Sequence, residues 1–188
     1  MIKKIVSAAA LFFMATIGAN AATIQVETAD LDANIDTALL VDLAGYWDTL
    51  TPSTSNTFGL PTGLIFNGAS NNNTIFKLTA TFDETEASEV DFQAGLDAGY
   101  GAEVYVNGTQ VFNTESNLWW SRNWNNNAVI TLDTINFSAG VNTIEVYWAE
   151  DRNSGGNSFR ANVKVSTPGV LSIFALGLIA LAFSRSRK

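Results

Sequence analysis

Four stretches of this chain alternate apolar and polar residues with a period of two, and repeated alternation of that kind belongs to half-buried sheet. "TIFKLTATF" puts Phe76, Leu78, Ala80 and Phe82 on one side and Lys77, Thr79 and Thr81 on the other. "EVDFQAGL" sets Val90, Phe92, Ala94 and Leu96 against Glu89, Asp91 and Gln93. "TIEVYWA" alternates through Ile144, Val146 and Trp148, and "FRANVKV" through Phe159, Ala161, Val163 and Val165. Successive side chains of a strand point to opposite faces, so each stretch is predicted to be a strand with one side in a core. No segment between residues 23 and 165 carries a convincing helical period.

The turns point the same way. In "AEVYVNGTQVF" the pair Asn107-Gly108 separates two strand-like runs, and both residue types tolerate positive φ, which predicts a two-residue hairpin. In "FSAGVNTI" Gly140 precedes another strand. Short strands joined by antiparallel turns predict two packed sheets, an all-β single antiparallel β-sandwich.

Both cysteine and histidine are absent from the 188 residues. No disulfide or thiol nucleophile is available, and the commonest general base and zinc ligand is missing, along with any Ser-His-Asp or Cys-His mechanism. A domain of about 145 residues can still hold itself by its core, because chains of that size bury well over half of their unfolded surface. All eighteen acidic residues lie between Glu27 and Asp151, and the whole middle of the chain, residues 22–165, holds only five basic ones, a net charge of −13. A surface of that sign repels phosphate backbones, so nucleic acid is not expected as a partner.

The two ends differ from this middle. "MIKKIVSAAALFFMATIGANAA" opens on Lys3 and Lys4, continues with an apolar stretch from Ile5 to about Ile17, and closes on Ala19-Asn20-Ala21. Those are the parts of a secretory signal peptide, residues 1–21, handled by the Sec machinery and signal peptidase to leave Ala22 first. At the other end, residues 166–188 read "STPGVLSIFALGLIALAFSRSRK". The apolar run 170–183 would make a helix of about 21 Å, short against a hydrocarbon core of about 30 Å. Its basic end, 184–188 with Arg185, Arg187 and Lys188, is expected to stay cytoplasmic. A transient stay in the inner membrane suits such a span better than permanent anchorage.

A short Pro-containing motif, a weak span and a basic terminus behind a signal peptide resemble the PEP-CTERM sorting tail of exported bacterial proteins. The motif here is a variant: Thr167, Pro168 and Gly169 stand where Pro-Glu-Pro is usual. The resemblance implies recognition and removal of the tail by an exosortase-type enzyme and delivery to the cell surface or beyond, in bacteria that make extracellular polysaccharide. The middle, residues 22–165, loosely resembles the jelly-roll sandwiches of carbohydrate-binding and PA14-like modules. That likeness implies a glycine-flanked acidic loop leading into a hairpin, with the strand of "AGVNTIEV" crossing the opposite sheet.

Two stretches are candidate sites. "NLWWSRNWNNN" gathers Trp119, Trp120, Arg122 and Trp124 with Asn117, Asn123 and Asn125 to Asn127. Flat apolar rings suit the C–H face of a sugar and neutral amides suit its hydroxyls, although one or two of these tryptophans could equally plug the end of a sandwich. "ADLDANID" sets Asp30, Asp32, Asn34 and Asp36 at alternate positions, an oxygen set suited to calcium. It is not an EF-hand, because Ile35 occupies the glycine position and Val41 that of the bidentate glutamate. Asp97 and Glu103 in "LDAGYGAE" offer calcium ligands on weaker terms. No cofactor is expected, with calcium the one ion these oxygens would suit.

For glycoside hydrolysis, Glu84, Glu86, Glu150 and Asp151 are the acids to consider, and the chemistry needs two of them about 5 to 9.5 Å apart. No motif places a nucleophile, base and orienting group together, so no catalytic residue is assigned. The sequence therefore favours a non-enzymatic exported protein of the cell envelope or extracellular matrix, associated with exopolysaccharide. The alternatives are a carbohydrate-binding module using the Trp119–Trp124 loop and a calcium-dependent adhesin-like domain.

Overall fold

The computed structural model of the chain describes residues 21–32, 34–59, 63–69, 72–152 and 156–165. The expected signal segment up to residue 20 and the tail 166–188 lie outside the described residues. With them go the flanking helices expected of the signal segment and of residues 170–183, Thr167, Pro168 and Gly169, and Arg185, Arg187 and Lys188. Among the described residues no helix is long and apolar enough to cross a membrane.

Most of the described chain is strand. In order these are β1 (Ala21–Asp30), β2 (Thr54–Gly59), β3 (Gly63–Ala69), β4 (Thr74–Glu84), β5 (Ser88–Gly95) and β6 (Asp97–Ala98), then β7 (Ala102–Val106), β8 (Thr109–Thr114), β9 (Leu118–Trp119), β10 (Val129–Phe137), β11 (Gly140–Glu150) and β12 (Gly156–Val165). A six-stranded sheet runs β2-β1-β4-β11-β7-β8 and a four-stranded sheet runs β10-β5-β12-β3, with a small ladder of β6 and β9. Every pairing is antiparallel. The fold is the all-β antiparallel sandwich that the alternation predicts.

The alternating residues meet in one core between the sheets. Ile24, Val26, Phe76, Leu78, Ala80, Phe82, Ile144, Val146 and Trp148 come from the six-stranded sheet, and Val90, Phe92, Ala94, Ile130 and Phe159 from the four-stranded one. Phe76 stacks on Trp148 with ring centres 4.7 Å apart, and Trp148 leans on Phe159 at 5.4 Å, so aromatic rings bridge the two layers. Each such side chain contributes about 1.5–3 kcal/mol by leaving water, which is how a domain without disulfides holds together. Asn107 and Gly108 both have positive φ, 49° and 76°, and join β7 to β8 as the turn chemistry predicts.

The structure corrects the sequence reading in two places. The strand of "AGVNTIEV" does not cross the sheet opposite the hairpin. It is β11, hydrogen-bonded directly to β7 within the same sheet. Helix is also present: a 3-10 turn at Thr37–Val41 and the single-turn α1 (Leu43–Trp47). Five residues are too few to show a helical period; local capping starts them, with Asp36 accepting from Ala38 N and Asp42 from Gly45 N. These turns cover the outer face of the six-stranded sheet, where Leu40, Leu43 and Trp47 meet Ile75, Tyr147 and Ala149. That second cluster explains why β11 stops alternating after Val146, with Tyr147 through Glu150 all buried.

Candidate functional site

The tryptophan loop is folded onto the outer face of the four-stranded sheet. Its anchor is the short ladder in which Asp97 pairs with Trp119 and Ala98 with Leu118, continued by a bond from Trp120 N to Leu96 O at 3.0 Å. Ala94 points into the core, so Gly95 faces outward, and there the indole of Trp120 lies flat against it. A Cβ on Gly95 would come within 2.5 Å of that ring, which only glycine permits. Trp120 is thus buried, and among the described residues its indole N–H and the hydroxyl of Ser158 (cross-strand to Gly95) are enclosed without hydrogen-bond partners.

From this seat a line of side chains crosses the face. Trp124 leans on Trp120 with ring centres 5.0 Å apart, and the Arg160 guanidinium lies 4.4 Å over the Trp124 ring. Arg160 Nε donates to Gln93 Oε1 at 2.5 Å, and Gln93 Nε2 donates to Thr131 Oγ1 at 3.0 Å. Trp119 stands apart with 62% of its surface exposed, the largest exposed aromatic among the described residues. Trp120 is therefore packed as a plug, Trp119 is exposed, and Trp124 is held half-open by a cation stacked on it.

The asparagines divide in the same way. Asn123 Oδ1 accepts from Asn125 N, Asn126 Oδ1 accepts from Ala128 N, and Asn126 Nδ2 donates to Ser121 Oγ at 2.9 Å, so these two amides shape the loop. Asn117, Asn125 and Asn127 are exposed. Arg122, also exposed, sits at φ 60° in the left-handed region between Trp120 and Trp124. Arg160, Gln93 and Thr131 were not among the sequence candidates. Alternation placed Gln93 on the wet side of β5, but nothing local in the sequence brings it beside residue 124 or 160.

The acidic stretch folds as a connection rather than a cage. Asp30 ends β1 and is exposed, Asp32 Oδ1 accepts from Asn34 N at 2.9 Å, and Asp36 caps the 3-10 turn. Asn34 is exposed. Among the described residues no group of three or more acidic side chains is arranged to hold a metal ion. Glu103 has a different partner from the one expected of it. Buried, it accepts from Leu43 N at 3.0 Å, Ala44 N at 3.2 Å and the Tyr105 hydroxyl at 3.0 Å, closing the start of α1. Burial, followed by that bond to Glu103, raises the Tyr105 hydroxyl to about 12.

Of the four acids considered for glycoside cleavage, two pairs sit at opposite ends of the sandwich. Glu84 and Thr74 end β4, and Glu150 lies across from Thr74, so Glu84 and Glu150 are separated by about 33 Å at ~3.3 Å per residue. Glu150 and Asp151 are hydrogen-bonded to one another, closer than the ~5 Å minimum that chemistry needs. Glu150 also accepts from Arg152 N at 2.7 Å and Gly99 N at 3.2 Å. Burial above all, then the charges of Asp97 and Asp151, raises its carboxyl to about 7.

No family model and no curated protein matches this chain. Among solved structures it is similar to a β-glucosidase from Kluyveromyces marxianus in complex with glucose, at 11% identity over 77% of this chain, with a TM-score of 0.44. The chain spans 17% of the length of that enzyme. The PA14 domain of the antifreeze protein MpAFP is 14% identical over 78% of this chain and 84% of its own, with a TM-score of 0.43. A family 35 carbohydrate-binding module from an environmental isolate is 19% identical over 57% of this chain and 81% of its own, at 0.32.

Proposed function

We propose that this chain is an exported, non-catalytic β-sandwich that binds extracellular polysaccharide through the Trp119–Trp124 loop. The observation that carries the reading is the presentation of Trp119, 62% exposed, in the same loop as a Trp124 ring held in place by Arg160. An exposed indole on a rigid sheet costs solvation unless something flat and partly apolar covers it, and a sugar ring has such a face. Exposed amides at Asn117, Asn125 and Asn127 and the Gln93–Thr131 pair supply neutral donors and acceptors around it. The basic-apolar-small order of residues 1–21 supports passage through the Sec route. The variant tail, with Pro168 ahead of an apolar run and a basic end, supports exosortase-type removal after a transient inner-membrane stage.

The test is retention on a panel of immobilised glycans by the mature domain, its Trp119→Ala variant and its Trp124→Ala variant. Substituting Trp120 would report on folding, because that ring is packed against Gly95. Wild type is expected to bind at least one polysaccharide and Trp119→Ala to lose about tenfold or more in affinity, as loss of a central aromatic contact commonly does. A wild type retained by none of the panel overturns the reading. Mass spectrometry of the protein from the cell surface or medium should show a mass without residues 170–188; intact chain there would refute the sorting proposal.

A further inference from the structure

The charges on the tryptophan face say more about the ligand than the rings do. Between residues 23 and 165 there are five cations. Three have an acidic partner: Lys77 with Glu145 at 2.9 Å, Arg152 with Asp151 at 3.2 Å, and Lys164 with Asp91 at 2.6 Å. The other two, Arg122 and Arg160, have no ion pair among the described residues, in a domain with eighteen acids to choose from. Both belong to the tryptophan site. Arg122 lies within the loop, and Arg160 lies on the Trp124 ring.

The geometry around Arg160 keeps it available. Stacking on Trp124 fixes the guanidinium plane, and Gln93, a neutral residue, takes its Nε. The two terminal amino groups have no acceptor among the described residues, and that edge of the fork is the one matching a carboxylate's two oxygens. The nearest acid along β5, Asp91, is already held by Lys164 and by Thr134 N at 3.2 Å. Glu89 and Asp133 lie farther down the face, where they act on Lys164. At physiological ionic strength charges more than about 8 Å away are largely screened, so the acidic surface elsewhere does not cancel this pair of arginines.

Resting on the polysaccharide reading above, we propose that the ligand of this face is a carboxylate-bearing saccharide, a uronate polymer whose acid groups are taken by Arg160 and Arg122 while its rings lie on Trp119 and Trp124. The test compares oligogalacturonides with their carboxyl-reduced counterparts, which keep the ring and lose the charge, and includes dextran sulfate as a third arm. Calorimetry on the mature domain is expected to show the acid form binding about tenfold more tightly than the reduced form. Arg160→Met, which keeps an apolar stem over Trp124, and Arg122→Gln should each cut affinity for the acid form about fivefold or more, and by clearly more than they cut affinity for the reduced form. Unchanged melting of both variants certifies the fold. Equal affinity for acid and reduced forms overturns the proposal, as does dextran sulfate competing as strongly as the uronate, which would show a patch responding to charge alone. Binding confined to neutral glycans removes this inference and leaves the polysaccharide reading intact. No binding to any polymer removes both.

Discussion

Replacing Glu150 by glutamine should make the domain less stable in mild acid and more stable in mild base. Glu150 is 2% exposed, its two oxygens accept from Arg152 N and Gly99 N, and it shares a hydrogen bond with the Asp151 carboxyl. Its carboxyl is raised from 4.5 to about 7, by burial first and by the neighbouring acid charges after it. Between those values the folded chain binds a proton that the unfolded chain has released. Stability therefore falls as pH rises through that window, is fully present below about 4.5 and is gone above about 7. The difference is worth about 3 kcal/mol. Glutamine carries no charge at any pH, and its amide can donate to Asp151 in place of the shared proton. It has one oxygen where Glu150 has two, so one of the two backbone N–H groups loses its acceptor, at about 1 kcal/mol.

Subtracting these, the variant should be about 1 kcal/mol less stable than wild type near pH 4 and about 2 kcal/mol more stable near pH 8, with the curves crossing near pH 5. Urea unfolding followed by tryptophan fluorescence at several pH values measures this directly, provided the slope with denaturant is unchanged. The ion pair of Asp91 with Lys164 does not interfere. It holds the Asp91 carboxyl below its ordinary 3.8, so that contribution is lost only in stronger acid. A stability difference between variant and wild type that stays constant from about pH 5 to pH 8 would refute the argument, because only a titrating Glu150 can make it change.

Gly95→Ala should cost about 1–3 kcal/mol by driving a methyl into the Trp120 indole, and should red-shift the emission of the loop tryptophans; a melting point within about 1 °C of wild type would show that the ring is not seated there. Glu103→Ala removes the acceptor for two backbone N–H groups and the Tyr105 hydroxyl and should destabilise by about 2–4 kcal/mol, with Glu103→Gln recovering part of it; equal losses in both variants would count against the capping role. Because Asp32 and Asp36 already accept backbone N–H groups, melting curves in calcium and in EDTA should coincide, whereas a bound ion at ~100 times its dissociation constant would add about 2.7 kcal/mol.

What could be read from the sequence follows the distance over which each feature is encoded. The alternation at Phe76 to Phe82 and at Val90 to Leu96 is a property of consecutive residues, so those strands and their buried faces were legible, as was the Asn107-Gly108 turn. The strand order was not. Nothing in residues 140–150 says that β11 will lie between β4 and β7, because that choice is made by packing across the core. The Tyr147–Glu150 segment misled for a related reason: its second face is buried by a helical turn about a hundred residues earlier.

The tryptophan site divides along the same line, and that division decides which residues can be altered informatively. Its composition is local, so Trp119, Trp120, Arg122, Trp124 and Asn125 could be singled out from eleven consecutive letters. Their roles are not local. Gly95 makes Trp120 a structural plug, and Arg160, thirty-six residues beyond Trp124, turns that ring into a supported surface. A loop held only by its own turns would lose conformational entropy on binding a ligand. This one has met much of that cost in folding, through the β6–β9 ladder, the Trp120 seat and the Arg160 stack. Breaking the ladder should therefore weaken ligand binding even when every ring and amide remains, and that distinguishes a preorganised site from a merely sticky loop.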